Sequence, residues 1–200
     1  MRIAVINEVS SRDKNGKILE ALTGSGREVF NVGMSADGAE PELTYIHTGL
    51  MAGIALNSGA ADLVVGGCGT GQGFMISAMQ YPGVFCGLIT EPLDAWLFSQ
   101  INGGNCISLA LNKGFGWAAD INLKYIFEKL FDGEMGRGYP EHRSESQRES
   151  RNLLKKISAN THKDFAEILK NTDKALIERI FSHTPFKEFI DNYAKIEFVY

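Results

Sequence analysis

Short apolar runs alternate with segments of helical periodicity through the first two thirds of the chain. Five runs predict buried strands: Arg2–Ile6, Glu28–Val32, Asp62–Gly66, Val84–Ile89 and Cys106–Leu111. Apolar residues at helical spacing predict helices over Asn15–Leu22, Leu43–Leu56, Phe74–Met79, Glu91–Phe98 and Trp117–Phe131. Strands that alternate with helices predict an α/β fold, a Rossmann-like or flavodoxin-like three-layer sandwich with one parallel sheet of about five strands.

The last third of the chain has a different composition. Only three of the 22 glycines follow residue 131, and charged residues become more frequent. Amphipathic patterns predict helices over Gln147–Ser158, Lys163–Lys170, Lys174–Phe181 and Pro185–Tyr193. We therefore divide the chain into an α/β domain over residues 1–150 and a helical C-terminal extension over residues 151–200. We expect the extension to pack on that domain or on a dimer partner.

Charge and hydropathy narrow the class of protein. The net charge is −4, which makes nucleic acid and anionic membranes poor partners. No apolar run approaches the roughly 20 residues of a membrane span, and no signal peptide precedes the first strand, so we expect a cytoplasmic protein. Three cysteines (Cys68, Cys86 and Cys106) at these spacings fit neither a disulfide framework nor a zinc site.

A glycine-rich stretch joins the third predicted strand to the following helix. It reads Gly66-Gly67-Cys68-Gly69-Thr70-Gly71-Gln72-Gly73. Glycine permits positive φ and close backbone approach, and such a loop presents N–H groups to an anion. It lacks the Gly-Lys-Ser/Thr of a P-loop and the spacing of G-x-G-x-x-G. A thiol and a hydroxyl inside this loop instead indicate proton-transfer chemistry on a small acidic molecule.

Several segments together resemble the ribose-5-phosphate isomerase B and galactose-6-phosphate isomerase family. The loop Gly67–Gly71 is the first of them. The others are Tyr45 and His47, the later helix and asparagine turn (Glu91, Pro92, Ala95, Leu97, Gln100, Asn102 and Asn105), and Gly136-Arg137. The resemblance covers about residues 1–150. It implies an aldose–ketose isomerase whose sites are shared between the subunits of a homodimer or a tetramer.

The resemblance and the chemistry of proton transfer together predict the roles of individual residues. Isomerisation through an enediolate requires a base and oxyanion donors, but neither a metal nor an organic cofactor. Cys68 is the predicted base and Thr70 the predicted proton shuttle, since Gln72 stands where another branch of the family has a glutamate base. The predicted substrate and oxyanion contacts are Gly69, Gly71, Gly73, Asn102, Asn105, Arg137, Asn7, Glu8 and His47.

Most of these residues are expected at one edge of the sheet. In parallel sheets, ligands bind at the carboxyl ends of the strands. We place Asn7, Glu8, the glycine loop, Glu91 and the Asn102–Asn105 turn there. His142, His162 and His183 lie in the polar last third and are expected at the surface. Aromatic residues of the extension are expected to supply apolar surface to a subunit interface: Phe181, Phe186, Phe189 and Tyr193.

The sequence departs from the phosphate-using members of the family. Asn7-Glu8 stands where they have Asp-His, Ile101 where they have a histidine, and Arg137-Gly138 where they have Arg-His. These changes replace residues that serve ring opening and phosphate binding in those members. They leave two substrate classes, a sugar phosphate or a keto-uronate such as 4-deoxy-5-hexosulose uronate, whose carboxylate Arg137 could clamp.

Two other functions stay open. The first is a non-catalytic sugar-binding or partner subunit that retained the fold. The retained Cys68 and Thr70 favour catalysis over this alternative, because a pure binding protein has no need of the thiol. A flavodoxin-like nucleotide binder is the weaker alternative, since Asn31-Val32-Gly33 offers no acidic residue for a ribose.

Overall fold

A parallel sheet of five strands forms the centre of the computed structural model, which describes residues 1–36 and 41–198. The strands are β1 (Arg2–Asn7), β2 (Glu28–Asn31), β3 (Leu63–Cys68), β4 (Cys86–Ile89) and β5 (Cys106–Ala110). Their spatial order is β2-β1-β3-β5-β4, and each neighbouring pair is parallel. This order differs from the flavodoxin order 2-1-3-4-5 by an exchange of the last two strands. As a result β5 lies beside β3, and Cys68 at the end of β3 pairs with Ala110.

Helices cover both faces of the sheet. They are α1 (Asn15–Leu22), α2 (Tyr45–Asn57), α3 (Gln72–Ala78), α4 (Pro92–Leu97) and α5 (Ala119–Leu130). Successive strand residues point to opposite faces. Ile3 and Val5 pack with buried residues of α1, α4 and α5, whereas Ala4 and Ile6 pack with those of α2 and α3. The predicted α/β sandwich of three layers is confirmed.

The C-terminal helices extend one of these two cores. They are α6 (Ser144–Thr161), α7 (Phe165–Asn171), α8 (Lys174–Phe181) and α9 (Thr184–Tyr193). Buried residues of α7, α8 and α9 belong to the same cluster as Ala4 and Ile6. Phe186 and Phe189, which we expected at a subunit interface, are buried within the chain instead. No helix of the described residues is both long enough and apolar enough to cross a membrane.

His183 also departs from the sequence prediction, which placed it at the surface. Its side chain is buried, and its Nε2 lies 3.2 Å from the carbonyl oxygen of Gly33. The residue precedes α9, so this hydrogen bond connects the last helix to the segment that follows β2. Burial lowers the pKa of His183, and the carbonyl groups of Gly33 and Val32 act against that shift.

This lowered pKa predicts a loss of stability in mild acid. Below about pH 6.5 the unfolded chain binds a proton at His183 that the native state does not yet accept. The free energy of unfolding should therefore fall as the pH drops below that value. His183→Gln should reduce the difference between urea midpoints at pH 7.5 and pH 5.5, whereas His142→Gln, at an exposed position, should not. Equal pH dependence in both variants would contradict the assignment to His183.

Gly66 in β3 allows the first turn of α3 to pack directly on the sheet. A Cβ atom at this position would lie 2.1 Å from Cζ of Phe74, which is fully buried. Gly66→Ala should therefore lower the free energy of unfolding by about 1–3 kcal/mol, the usual cost of overpacking. Gly16→Ala is the control, because no atom lies within 4 Å of the added methyl group. Urea unfolding measures both, and an unchanged midpoint in Gly66→Ala would contradict this packing.

Candidate active site

The glycine loop lies where β3 passes into α3, as predicted. Cys68 is the last residue of the strand and is 6% exposed. Its Sγ lies 3.9 Å from Oγ1 of Thr70, the other candidate catalytic atom. Gly71 adopts φ 75°, in the left-handed region that favours glycine, and immediately precedes α3. The loop thus places a thiol and a hydroxyl side by side at the carboxyl edge of the sheet.

Two residues beside this loop were not singled out from the sequence. The Oγ of Ser10 accepts a hydrogen bond from the N–H of Gly69 at 3.1 Å and donates one to Oε1 of Glu8. Asn112 follows β5, and its side-chain amide donates to the carbonyl oxygen of Ser10 at 2.8 Å. The position of Asn112 directly after a strand was the available signal. Glu8, which is buried, is thereby connected to the Cys68 loop through Ser10.

The predicted oxyanion donors of the loop are partly occupied. The N–H of Gly69 donates to Ser10, and that of Gly71 donates to the carbonyl oxygen of Cys68 at 3.2 Å. These two N–H groups therefore already have protein acceptors. Gly73 contacts a side chain of α2: a Cβ atom added to this glycine would lie 3.2 Å from Cγ of Tyr45. The Tyr45 ring at the start of α2 thus lies against the loop.

Asn7 and His47 have structural hydrogen bonds of their own. Asn7 accepts from the Asn15 amide at 2.9 Å and donates to the carbonyl oxygen of Ser11 at 3.3 Å. Nδ1 of His47 accepts from the backbone N–H of Thr44 at 3.0 Å, which completes a capping box at the start of α2. The pKa of His47 is lowered, first by burial and then by the charge of Arg179. Both residues hold local structure around the carboxyl edge.

The Asn102–Asn105 turn lies at the opposite edge of the sheet, contrary to our prediction. The turn precedes β5, so in a parallel sheet it belongs to the amino ends of the strands. Cys106 pairs with Val64, four residues before Cys68. At about 3.3 Å per residue, the start of β5 is roughly 13 Å from Cys68 along the strand direction. One small sugar cannot contact both Cys68 and Asn102 of the same chain.

Arg137 is on the same side as this turn. The segment that carries it is attached to a π-helical turn over Phe98–Asn102, where Gly136 N–H donates to the Ser99 carbonyl at 2.7 Å and Gly138 N–H to the Gln100 carbonyl at 2.8 Å. Arg137 and Asn102 are both exposed. The candidate residues therefore form two groups, one around Cys68 and one around Asn102 and Arg137.

Asn105 has a structural role within the second group. Its Oδ1 accepts from the N–H of Phe85 at 2.9 Å, and its Nδ2 donates to the carbonyl oxygen of Gly83 at 2.8 Å. Both ends of the amide thus hold the segment before β4.

Among the described residues, no group of three or more His, Cys, Asp or Glu side chains is placed to hold a metal ion.

Comparison with known proteins identifies the family. The profile of the Ribose/Galactose Isomerase family matches residues 3–137. The chain belongs to this family. The expected family and the expected aldose–ketose isomerase activity are thereby confirmed. A search of curated proteins found no match.

Solved structures extend the similarity to nearly the whole chain. A 4-deoxy-L-threo-5-hexosulose-uronate ketol-isomerase complexed with a tartrate is 43% identical, with a TM-score of 0.95 over 98% of this chain and 94% of that one. A ribose-5-phosphate isomerase from Vibrio parahaemolyticus is 46% identical, with a TM-score of 0.94 over the same shares. Ribose-5-phosphate isomerase B from Clostridium thermocellum, at 22% identity and a TM-score of 0.65, covers 81% of this chain and 100% of its own. At that identity it shares the fold alone.

Proposed function

We propose that this isomerase converts an open-chain keto-uronate between its aldose and ketose forms, with Cys68 as the base. The observation that carries the proposal is the position of the Cys68 thiol, 3.9 Å from the Thr70 hydroxyl in the loop after β3. A thiol and a hydroxyl on neighbouring positions are what proton transfer between two carbons and two oxygens requires. Cysteine is also far easier to ionise than serine or threonine.

The proposed reaction has two proton transfers at carbon and one between the two oxygens. The Cys68 thiolate removes the proton from the hydroxyl-bearing carbon next to the aldehyde, and the electron pair of that C–H bond forms the enediolate. Thr70 moves a proton between the two oxygens of the enediolate. The Cys68 thiol then returns its proton to the former aldehyde carbon, which yields the ketose and restores the thiolate. Atoms and charges balance without any further reactant.

The substrate class is inferred from the residues around the site. Asn7, Glu8 and Ile101 replace the ring-opening residues of phosphate-using members of the family, which favours a substrate that is already open. The 43%-identical structure is a uronate ketol-isomerase. A sugar phosphate is the second candidate, because the 46%-identical structure is named a ribose-5-phosphate isomerase.

We also propose that the active site is completed in a homodimer. Since Cys68 and Asn102 lie at opposite edges of the sheet, a shared site requires Asn102 and Arg137 from the partner subunit. Apolar residues that are 44–59% exposed lie on α2, at α3 and on α6, and we take them as the contact face: Tyr45, Ile46, Ile76, Met79, Leu153, Leu154 and Ile157. Tyr45 lies against Gly73 of the loop, and Met79 and Leu154 line one cavity with Asn102. Two-fold pairing of this face would bring the Cys68 group of one subunit towards the Asn102 group of the other.

An assay of substrates separates these functions. The purified chain should interconvert 4-deoxy-5-hexosulose uronate and its ketose with a higher kcat/KM than ribose 5-phosphate or galactose 6-phosphate. Preference for a sugar phosphate would establish the second candidate. Binding of these compounds without turnover of any would support the non-catalytic subunit. Sedimentation should give a dimer or a larger oligomer at micromolar concentration.

A further inference from the structure

A cavity of about 280 Å³ lies between α6 and the π-helical turn. Its wall is largely apolar, with Met79, Phe85, Phe98, Ile101 and Leu154 among the lining residues. The polar groups that line it include Asn102, Arg151 and Lys155, and no aspartate or glutamate lines it. A cavity with an apolar wall and basic side chains suits a small organic anion.

Arg151 is held in a fixed position within this cavity. Its Nη1 donates to the carbonyl oxygen of Ile101 at 2.8 Å, and its Nη2 donates to that of Gly136 at 2.6 Å. A guanidinium carries five N–H donors, so three are left without a hydrogen-bond partner among residues 1–36 and 41–198. Neutral carbonyl groups orient the side chain but leave its charge uncompensated.

Two further donors accompany Arg151. Lys155 lies one helical turn later on α6 and forms no ion pair within the described part of the chain. The Asn102 side-chain amide likewise has no hydrogen-bond partner among the described residues. A guanidinium, an ammonium and an amide therefore line one cavity without an acidic partner. Charge-assisted hydrogen bonds from such groups are the strong ones in anion recognition.

We propose that this cavity binds the carboxylate of the substrate, with Arg151 and Lys155 as the residues that determine specificity for an acidic sugar. The inference rests on the proposed function, in which Asn102 belongs to the site whose Cys68 comes from the partner subunit. Both basic residues lie on α6, beyond the residues 3–137 that match the family profile. Recognition of the carboxylate by α6 would thus be separate from Arg137, which lies within the matched segment.

Titration of the intact protein with tartrate, a small dicarboxylate, tests this inference without requiring turnover. Lys155→Glu should raise the Kd of tartrate about tenfold, because it places a negative charge beside the carboxylate. Lys156→Glu makes the same change of net charge at the next residue, which does not line the cavity, and should change the Kd by less than about twofold. Arg151→Lys keeps the charge but loses the planar fork, and should also raise the Kd about tenfold.

The outcomes separate this inference from the proposed function. With the keto-uronate as substrate, Lys155→Glu should raise KM and leave kcat nearly unchanged, since the carboxylate is bound equally before and during the reaction. Wild-type affinity for tartrate in both Lys155→Glu and Arg151→Lys, or no tartrate binding by the wild type, would overturn the carboxylate site while leaving the isomerase activity in place. An effect on inorganic phosphate but not on tartrate would also overturn it. Absence of keto-uronate turnover with tartrate binding intact would instead refute the keto-uronate as the substrate.

Discussion

Replacing Cys68 with alanine should lower kcat by roughly 10²–10⁴-fold or more, the usual contribution of a positioned base. The loss should appear in kcat, with substrate binding largely retained, because the thiolate acts in the transition state. Cys68→Ser should be little better, since a hydroxyl ionises far less readily than a thiol. Steady-state kinetics with the preferred substrate measure both variants, and their folding can be checked by urea unfolding.

Variants of two neighbouring residues test whether Cys68 itself is the base. Thr70→Val keeps the shape of the side chain but removes the hydroxyl that lies 3.9 Å from Sγ. It should slow turnover without much change in the rate at which iodoacetamide alkylates Cys68, and bound substrate should protect the thiol. If Cys68→Ala turned over at a near-normal rate, the base would have to be elsewhere. Glu8, which is connected to the same loop through Ser10, would then be the first candidate, and Glu8→Gln its test.

The sheet and its helices could be predicted because buried strands and helices differ in the length and the periodicity of their apolar segments. Apolar runs such as Ile3–Ile6 are buried on both faces of a parallel sheet, and this leaves few alternatives to a strand. The ends of elements were less accurate for local reasons. Helix α5 begins at Ala119 and not at Trp117, since Ala118 adopts the left-handed φ of 62° that does not continue a helix.

The predicted position of the Asn102–Asn105 turn was wrong because of the topology of the sheet. Asn102 and Asn105 precede β5, and residues that precede a parallel strand lie at the amino edge of the sheet. Their membership of a family motif led us to place them beside Cys68. A site shared between two subunits removes the conflict, because the motif then need not meet within one chain. Asn112, which follows the same strand, is the asparagine that lies beside the Cys68 loop.

The partner of an amphipathic helix is a further feature that periodicity does not predict. The same apolar stripe faces a core or a subunit interface, and only the tertiary structure distinguishes them. Phe186 and Phe189 are buried within this chain, whereas Leu153, Leu154 and Ile157 of α6 are exposed. Helix α6 therefore offers apolar surface to a partner, whereas Phe186 and Phe189 of α9, where we expected such surface, do not.

Subunits that carry Cys68→Ala or Arg137→Ala should be inactive alone and should regain activity when mixed. If Cys68 and Arg137 of different subunits form each site, a heterodimer of the two variants contains one intact site and one that lacks both residues. Random exchange places half of the subunit pairs in heterodimers, so recovery should reach about a quarter of wild-type activity. The variants can be co-expressed with different tags, and the heterodimer purified through both.

This complementation separates the two possible positions of Arg137 relative to the site. Arg137 lies on the side of the sheet that carries Asn102, away from Cys68 of its own chain. If it nevertheless acted within its own subunit, each subunit of the heterodimer would lack one required residue and mixing would restore nothing. Mixing Cys68→Ala with Thr70→Val is the matched control. Both residues belong to one loop, so each subunit of that heterodimer should remain impaired, and recovery to a quarter of wild-type activity there would show that subunit exchange alone, without sharing of the site, accounts for the effect.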